Sequence, residues 1–298
     1  MSAVETSPWH LVHHVEHTPL VVRPGIGAPA GASRVVYSLP HSGRYYPESF
    51  IAEARQSPLG LRASEDAFVD DMVGLSPELG VYGVASRYAR AFCDVNRSAL
   101  ELDARLIRGD LPKAALSLSA RVKAGFGVIA RRLSVDQDIY RQPLDMAEVN
   151  RRLDLIHRPY HYALRALLSE AKLARSDSAP VLLIDWHSMP SAALNHFRAG
   201  EPKPDIVLGN RHGETCSDGL VRKVRGVLEG AGLRVGLNKP FAGGYIVETY
   251  GRPQAGIEAL QIEINRALYM DEALVTPHAG AERLKGIFRT LTEKLITS

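Results

Sequence analysis

The run Val181-Leu-Leu-Ile184, bounded by Pro180 and followed by Asp185-Trp-His187-Ser188, decides the fold. An apolar run without polar interruption suits a central strand covered on both faces, since a half-exposed strand alternates. Working outward, Arg34-Val-Val-Tyr-Ser-Leu39 is β-branched and apolar and breaks at Pro40-His-Ser-Gly43, again a buried strand entering a loop. Val81 to Val84, Ala91 to Val95, Asp205 to Leu208 and Ala259 to Ile264 read as further short strands. Helical spacing fills the intervals. Asp145 with Glu148 predicts a capping box. Val149, Leu153, Ile156, Tyr160, Leu164 and Leu167 continue a helix that Pro159 must kink or divide. Thr215 to Leu228 repeats the pattern and stops at Gly230 and Gly232. Thr276-Pro277 opens a last helix through Leu284, Ile287, Leu291 and Leu295. Short apolar strands alternating with helices predict an α/β fold around a mixed, mainly parallel sheet.

The chain has 298 residues, with 36 Lys plus Arg against 33 Asp plus Glu and a net charge of +3. So small a surplus argues against nucleic acid as a partner. Two cysteines, Cys93 and Cys216, are too few to staple a chain this long and suit a reducing compartment. No stretch approaches the ~20 apolar residues of a membrane helix. Met1 to His10 lacks the basic flank and apolar run of a secretory signal. The expectation is a cytoplasmic protein with no membrane partner. Residues 1–33 are expected to be an N-terminal segment ending in the Pro-, Gly- and Ala-rich linker 24–33. Its His10, His13, His14 and His17 lack an accompanying carboxylate pattern and read as surface. Residues 34–298 are expected to form one catalytic domain. Its Arg-rich excursion over 98–142 is expected to serve as a lid or as an arm between copies of a homo-oligomer.

Residues able to do chemistry gather where strands end. His41 follows the strand at 34–39, Asp94-Val-Asn96-Arg97 follows the run at 91–95, and Asp185-Trp-His187 follows the central run. Glu263 interrupts the apolar strand near 259–264. In open α/β sheets ligands bind beyond the carboxyl ends of strands, so these groups can meet in one pocket. Two histidines, a carboxylate and a further glutamate are the parts of a hydrolytic zinc site, with three ligands, an open position and a base. Each has a plainer role as well. His41 can cap a turn, and Asp185 can orient His187 rather than bind anything. Glu263, costly to bury unpaired, can pair with Arg266. His157 and His161, four apart on one helical face, read as packing or pocket-wall residues. The chain has no Gly-x-Ser-x-Gly elbow, which argues against a serine hydrolase.

Further segments occur in a fixed order: Pro40-His-Ser-Gly43, Glu65-Asp66 with Asp70, Ser86-Arg87, Gly127-Val-Ile129 with Arg131, Ile139-Tyr140 and Pro159-Tyr-His161. They continue with Leu183-Ile-Asp-Trp-His-Ser-Met-Pro190, Asn238-Lys-Pro-Phe-Ala-Gly243, Tyr250-Gly-Arg252, Gln261-Ile-Glu-Ile-Asn-Arg266 and Leu268-Tyr-Met-Asp-Glu272. From about His41 to Glu272 the chain thus resembles the N-formylglutamate amidohydrolases, a branch of the zinc carboxypeptidase and aspartoacylase-like hydrolases.

The resemblance implies a three-layer α/β sandwich of phosphorylase/hydrolase-like type. It implies zinc-dependent hydrolysis of N-formyl-L-glutamate to formate and glutamate, a step of histidine degradation. One Zn2+ ion, with another divalent metal as the alternative, would be held by His41, His187 and Asp66. Glu65 is the reserve for the acidic ligand. The peptidase relatives place that carboxylate three residues after the first histidine, where this chain has Arg44. Asp94-x-Asn96-Arg97 resembles a peptidase motif whose arginine polarises the scissile carbonyl or grips a carboxylate. Asp94 and Asn96 are expected beside the substrate with it, and Glu263 takes the place of the general base. An N-acyl amino diacid calls for guanidinium partners, and Arg87, Arg97, Arg131 and Arg252 lie in matching segments. Gly243-Gly244 and Gly125-Phe-Gly127 read as flexible lips. Two alternatives stand beside this reading. One is a hydrolase of another N-acyl amino acid or small peptide, carboxypeptidase-like and with the same site residues. The other is a non-catalytic binding protein on the same fold.

Overall fold

The computed structural model describes residues 19–23, 33–74, 79–116, 119–134, 136–174, 178–198 and 200–297. The N-terminal histidines and residues 24–32 of the linker lie outside them. Seven strands make the main sheet: β1 (Leu20–Arg23), β2 (Val35–Leu39), β3 (Tyr82–Ser86), β4 (Val181–Met189), β5 (Ile206–Gly209), β6 (Val235–Leu237) and β7 (Ile257–Asn265). Their order is β1-β3-β2-β4-β7-β5-β6. The pairs β3–β2, β2–β4, β4–β7 and β5–β6 are parallel, while β1–β3 and β7–β5 are antiparallel. The sheet is therefore mixed and mostly parallel, as the alternation of strands and helices predicts.

Side-chain alternation along the strands feeds two apolar clusters. Val36, Leu183 and Ala259 join one, with Tyr160, Leu164 and Leu167 of the helix Arg158–Leu173. Val35, Tyr37, Leu182, Ile184, Leu260 and Ile262 join the other, with the helices Asp218–Gly230 and Gly280–Ile296. On the first of these faces the strands change character along their length. Val36 gives way to Ser38, Leu183 to Asp185 and His187, and Ala259 to Gln261 and Glu263, and all of these polar residues are buried. One face of three adjacent strands thus holds core at its N-terminal end and a polar site at its C-terminal end.

Four local expectations are corrected. Ala91 to Val95 is buried but forms no strand: Phe92 N and Cys93 N donate to Ala89 O in a turn, and Asp94 N donates to Val128 O. Asp145 precedes the helix Met146–Arg152 without a side-chain cap, and Glu148, the other half of the expected box, is taken by Arg151 and Arg152, each at 2.7 Å. The helix expected from Thr215 begins at Asp218, capped by Ser217, while Thr215 sends its hydroxyl to Ala259 O. Thr276-Pro277 pairs with Met270–Asp271, and the last helix begins at Gly280. Glycine is required there, since a Cβ would stand 1.9 Å from Leu268 O. The break expected at Pro159 takes the form of a π-helical turn over Leu153–His157, where the wider register absorbs the missing N–H. The edge strands β1 and β6 have no counterpart among the predicted strands.

Candidate active site

The polar ends of β2, β4 and β7 open into a pocket of about 370 Å³, a volume suited to a small metabolite. Its floor is set by strand register. β4 and β7 pair His187 with Glu263 and Asp185 with Gln261, while β2 pairs Ser38 with Asp185. His41 enters from the loop after β2, and Asp66 from the loop before the short helix Val69–Val73. Asp66 N donates to His41 O at 3.0 Å, which ties the two loops together.

His41, Asp66 and His187 each offer one ligand atom within 4.8 Å of the others, and all three are buried. His187 Nδ1 lies 3.0 Å from Asp66 Oδ2, and His41 Nδ1 lies 3.4 Å from the same oxygen. The far ring nitrogens are committed elsewhere. His41 Nε2–H donates to Asp94 Oδ1 at 2.7 Å and His187 Nε2–H to Asp185 Oδ2 at 2.9 Å. Carboxylates behind the rings orient both Nδ1 atoms toward Asp66 and raise their basicity. His41 Nδ1 is buried without a hydrogen-bond partner. A buried nitrogen left in that state is costly unless something electrophilic faces it. The donor set of two imidazoles and one carboxylate suits a divalent metal such as zinc.

The electrostatics agree. Burial alone would raise the Asp66 pKa, but His187 and His41 hold it well below the usual carboxylate range. Burial likewise opposes ionisation of Asp94, and Arg90 with His41 outweighs it. Burial would depress His187, yet Asp185 and Asp66 lift it well above its ordinary value. Two carboxylates flanking one ring favour positive charge there, from a second proton or from a cation. Glu263 behaves differently. Burial pushes its pKa up to about 7, despite His187. Its Oε1 accepts from Gln261 Nε2 at 2.8 Å, and Gln261 is oriented in turn by Gly244 N, which donates to its Oε1 at 2.6 Å. A carboxyl poised near neutrality beside a ligand cluster is equipped for proton transfer.

The other expected residues divide. Glu65 turns away from the cluster, accepting Tyr46 Oη at 2.6 Å and Arg62 Nε at 3.1 Å. Arg97 lines the pocket, its Nε buried without a hydrogen-bond partner and 3.9 Å from Asp94 Oδ2. Asp94 and Asn96, expected beside the substrate, also line the pocket but are occupied with the scaffold. Asp94 accepts from His41, Arg90 and its neighbour Asn96 N. Asn96 lies 3.0 Å from His187 Nε2 and accepts Ile246 N at 2.8 Å. Gly244 serves close approach, since a Cβ there would stand 2.5 Å from Asn96 Nδ2.

Arg131, Arg252 and Arg87 are corrected, because none of them lines this pocket. Arg131 is drawn off by Asp103 at 3.0 Å and Asp138 at 2.9 Å. Arg252 donates to Glu248 O and Gly251 O. The backbone N of Arg87 joins Pro19 O, at the edge of the sheet. Arg90, Arg121, Arg132 and Arg266 line the pocket instead. Arg266 pairs with Asp66 at 3.0 Å and so backs the cluster rather than Glu263. Arg44 is outside, on Asp70 at 2.7 Å. His157 and His161 are buried behind the pocket and pin its loop: their Nε2–H groups donate to Arg97 O at 2.8 Å and Val95 O at 2.9 Å.

A sheet-end pocket with a His/Asp/His cluster, a near-neutral glutamate and arginine walls is the equipment of a hydrolase acting on a small acidic amide. The family model for N-formylglutamate amidohydrolase matches residues 33–270, so the chain belongs to that family and is an amidohydrolase. It is 29% identical over 249 residues to an N-formylglutamate deformylase of Pseudomonas putida, covering 81% of this chain and 84% of that one. It is 26% identical to an N-formylglutamate deformylase of Pseudomonas aeruginosa, over 89% of this chain and 94% of that one. The solved structure of an N-formylglutamate amidohydrolase from Ralstonia eutropha superposes with a TM-score of 0.86 at 32% identity, covering 94% and 98% of the two chains. A gene product of Agrobacterium tumefaciens, 18% identical with a TM-score of 0.62 and 94% coverage of each chain, shares the fold. Among the described residues no helix is long and apolar enough to cross a membrane.

Proposed function

We propose that this protein is a zinc-dependent N-formylglutamate deformylase, releasing formate and glutamate in the cytoplasmic breakdown of histidine. His41 carries the proposal: its buried, unpartnered Nδ1 shares a focus with His187 Nδ1 and Asp66 Oδ2, directly beside Glu263. The ion would be held by His41, Asp66 and His187, and when bound it supplies Lewis acidity for attack on the formyl amide. Asp94 and Asp185 hold the imidazole tautomers that leave each Nδ1 free to bind. The Glu263 carboxylate accepts a proton from the attacking water and passes it to the departing amine nitrogen. Arg97 offers its guanidinium to the oxygen on which negative charge develops. One catalytic domain over 34–298, arranged as a three-layer sandwich of phosphorylase/hydrolase-like type, belongs to the same proposal. The two deformylases and the match to the amidohydrolase family support the substrate.

Elemental analysis of the purified protein, paired with an assay of formate release from N-formylglutamate, tests it. Stoichiometric zinc with turnover is the expected result. Stoichiometric zinc without formate release would overturn the substrate, and turnover that survives complete metal removal would overturn the metal.

A further inference from the structure

We infer that Arg121, backed by Arg132, forms the subsite that recognises the distal carboxylate of an N-formyl amino diacid. The inference rests on the deformylase reading and names the element that gives it side-chain selectivity. Five arginines line the pocket, and their partners sort them. Arg266 is committed to Asp66 at 3.0 Å and Arg90 to Asp94 at 2.8 Å. Arg132 gives its Nε to Asp138 at 2.9 Å, an oxygen that Arg131 also uses. Arg97 meets Asp94, already used by His41, Arg90 and Asn96 N, at 3.9 Å, with Glu101 a weaker influence. Arg121 makes no ion pair among the described residues, and it stands near enough to Arg97 to add to the burial that disfavours that residue's charge. A guanidinium that lines the cavity with no ion pair of its own, next to a second whose nearest carboxylate is already shared, favours an anion there.

The wall that carries Arg121 is built rather than loose. Ser119 caps the helical turn Ala120–Ala124 through Val122 N and donates to Glu101 Oε1 at 2.7 Å. Phe126 N returns to Arg121 O at 2.9 Å, and Arg105 reaches Val122 O at 3.2 Å. Gly125 closes the turn at φ +98°, and a Cβ there would press on Arg132 Cδ at 3.0 Å. Glycine there leaves room for the Arg132 stem to lie against the end of the helical turn that carries Arg121. This wall belongs to the arginine-rich excursion over 98–142. It lines the same pocket as Glu263 and the His/Asp/His cluster, so a substrate whose amide lies over that cluster can turn its other end to this wall. A neutral or apolar side chain would leave this end uncompensated.

The test compares N-formylglutamate with N-formylglutamine, which keeps the shape and removes the distal charge, on the zinc-loaded parent and on Arg121→Met. Hydrogen bonds to charged groups contribute enough that the parent's preference for N-formylglutamate, as kcat/KM, should shrink about 10- to 100-fold in the variant. An equal loss on both substrates, or no loss on either, would overturn the subsite. Cleavage of neither compound by the parent would instead overturn the deformylase reading. Calorimetric titration with glutarate judges the subsite independently of turnover: Arg121→Met should bind it about tenfold more weakly than the parent. Equal glutarate affinity in the two proteins, or no binding to the parent, would overturn it.

Discussion

Glu263→Gln should make the metal-free protein more stable at alkaline pH while stopping its chemistry. The substitution keeps volume and one hydrogen bond. Gln261 Oε1 is held by Gly244 N, so its amide N–H must face residue 263, whose oxygen can still accept it. The charge is what disappears. Burial raises the Glu263 pKa from 4.5 to about 7, against His187 and the more distant arginines. For a carboxyl raised on folding, the native state holds its proton more tightly than the unfolded chain. Stability is therefore undiminished below about pH 4.5, falls as pH rises through the window up to about 7, and stays lowered above it. A shift of this size corresponds to about 3 kcal/mol. Urea denaturation of chelator-treated protein should show the variant more stable than the parent by up to this amount at pH 8, with the gap closed at pH 4. In zinc-loaded protein the variant should keep its metal and lose about 10²- to 10⁴-fold in formate release, the usual worth of a positioned base. Turnover at the parent rate would refute the role of Glu263. Equal stability at pH 8 would refute the buried-charge argument on which it stands.

Asp185→Asn should weaken zinc affinity about 10- to 100-fold, measured by chelator competition, because the carboxylate behind His187 at 2.9 Å is lost while its volume is kept; unchanged affinity would show that Asp185 does not orient the ligand. Asp205→Asn should cost about 1 kcal/mol at pH 7, since the carboxylate accepts from the backbone N, Nε and Nη2 of Arg234 in a partly solvated pair. Burial raises the Asp205 pKa and these contacts more than offset it, leaving it below 3.8. The contribution is therefore full above that value and lost as pH falls through the lowered pKa, so the gap between the two proteins in urea melts should shrink steadily as the pH is taken below 3.8.

Much of the fold was readable because the central strands carry uninterrupted apolar runs. Val181 to Ile184 needed no knowledge of its neighbours, since a run buried on both faces announces itself by composition. The edges were not readable for the same reason. Leu20–Arg23 and Val235–Leu237 are short and half covered, and only pairing with β3 and β5 makes them strands. Ala91 to Val95 shows the converse error. It is as apolar as a strand because it is buried, but its hydrogen bonds close a turn and reach Val128, and burial says nothing about partners.

The floor of the site was readable for a different reason: a charged or titratable residue inside an apolar strand has few explanations. His187 and Glu263 stand side by side because β4 and β7 are parallel and in register, so polar interruptions of two separate runs become one constellation. The arginines carry no such signal. Arg87, Arg97, Arg131 and Arg252 look alike in the sequence, and what separates them is where the fold places each and what it meets there. Asp138, which takes Arg131, is only seven residues from it, yet it also takes Arg132, and among the described residues Arg121 on the same wall is left without an ion pair. Which guanidinium remains available is a property of the whole set of ion pairs. It emerges only once every acidic group near the pocket has been assigned its partner, because a charge already neutralised by Asp103 or Asp138 has little left to offer a substrate.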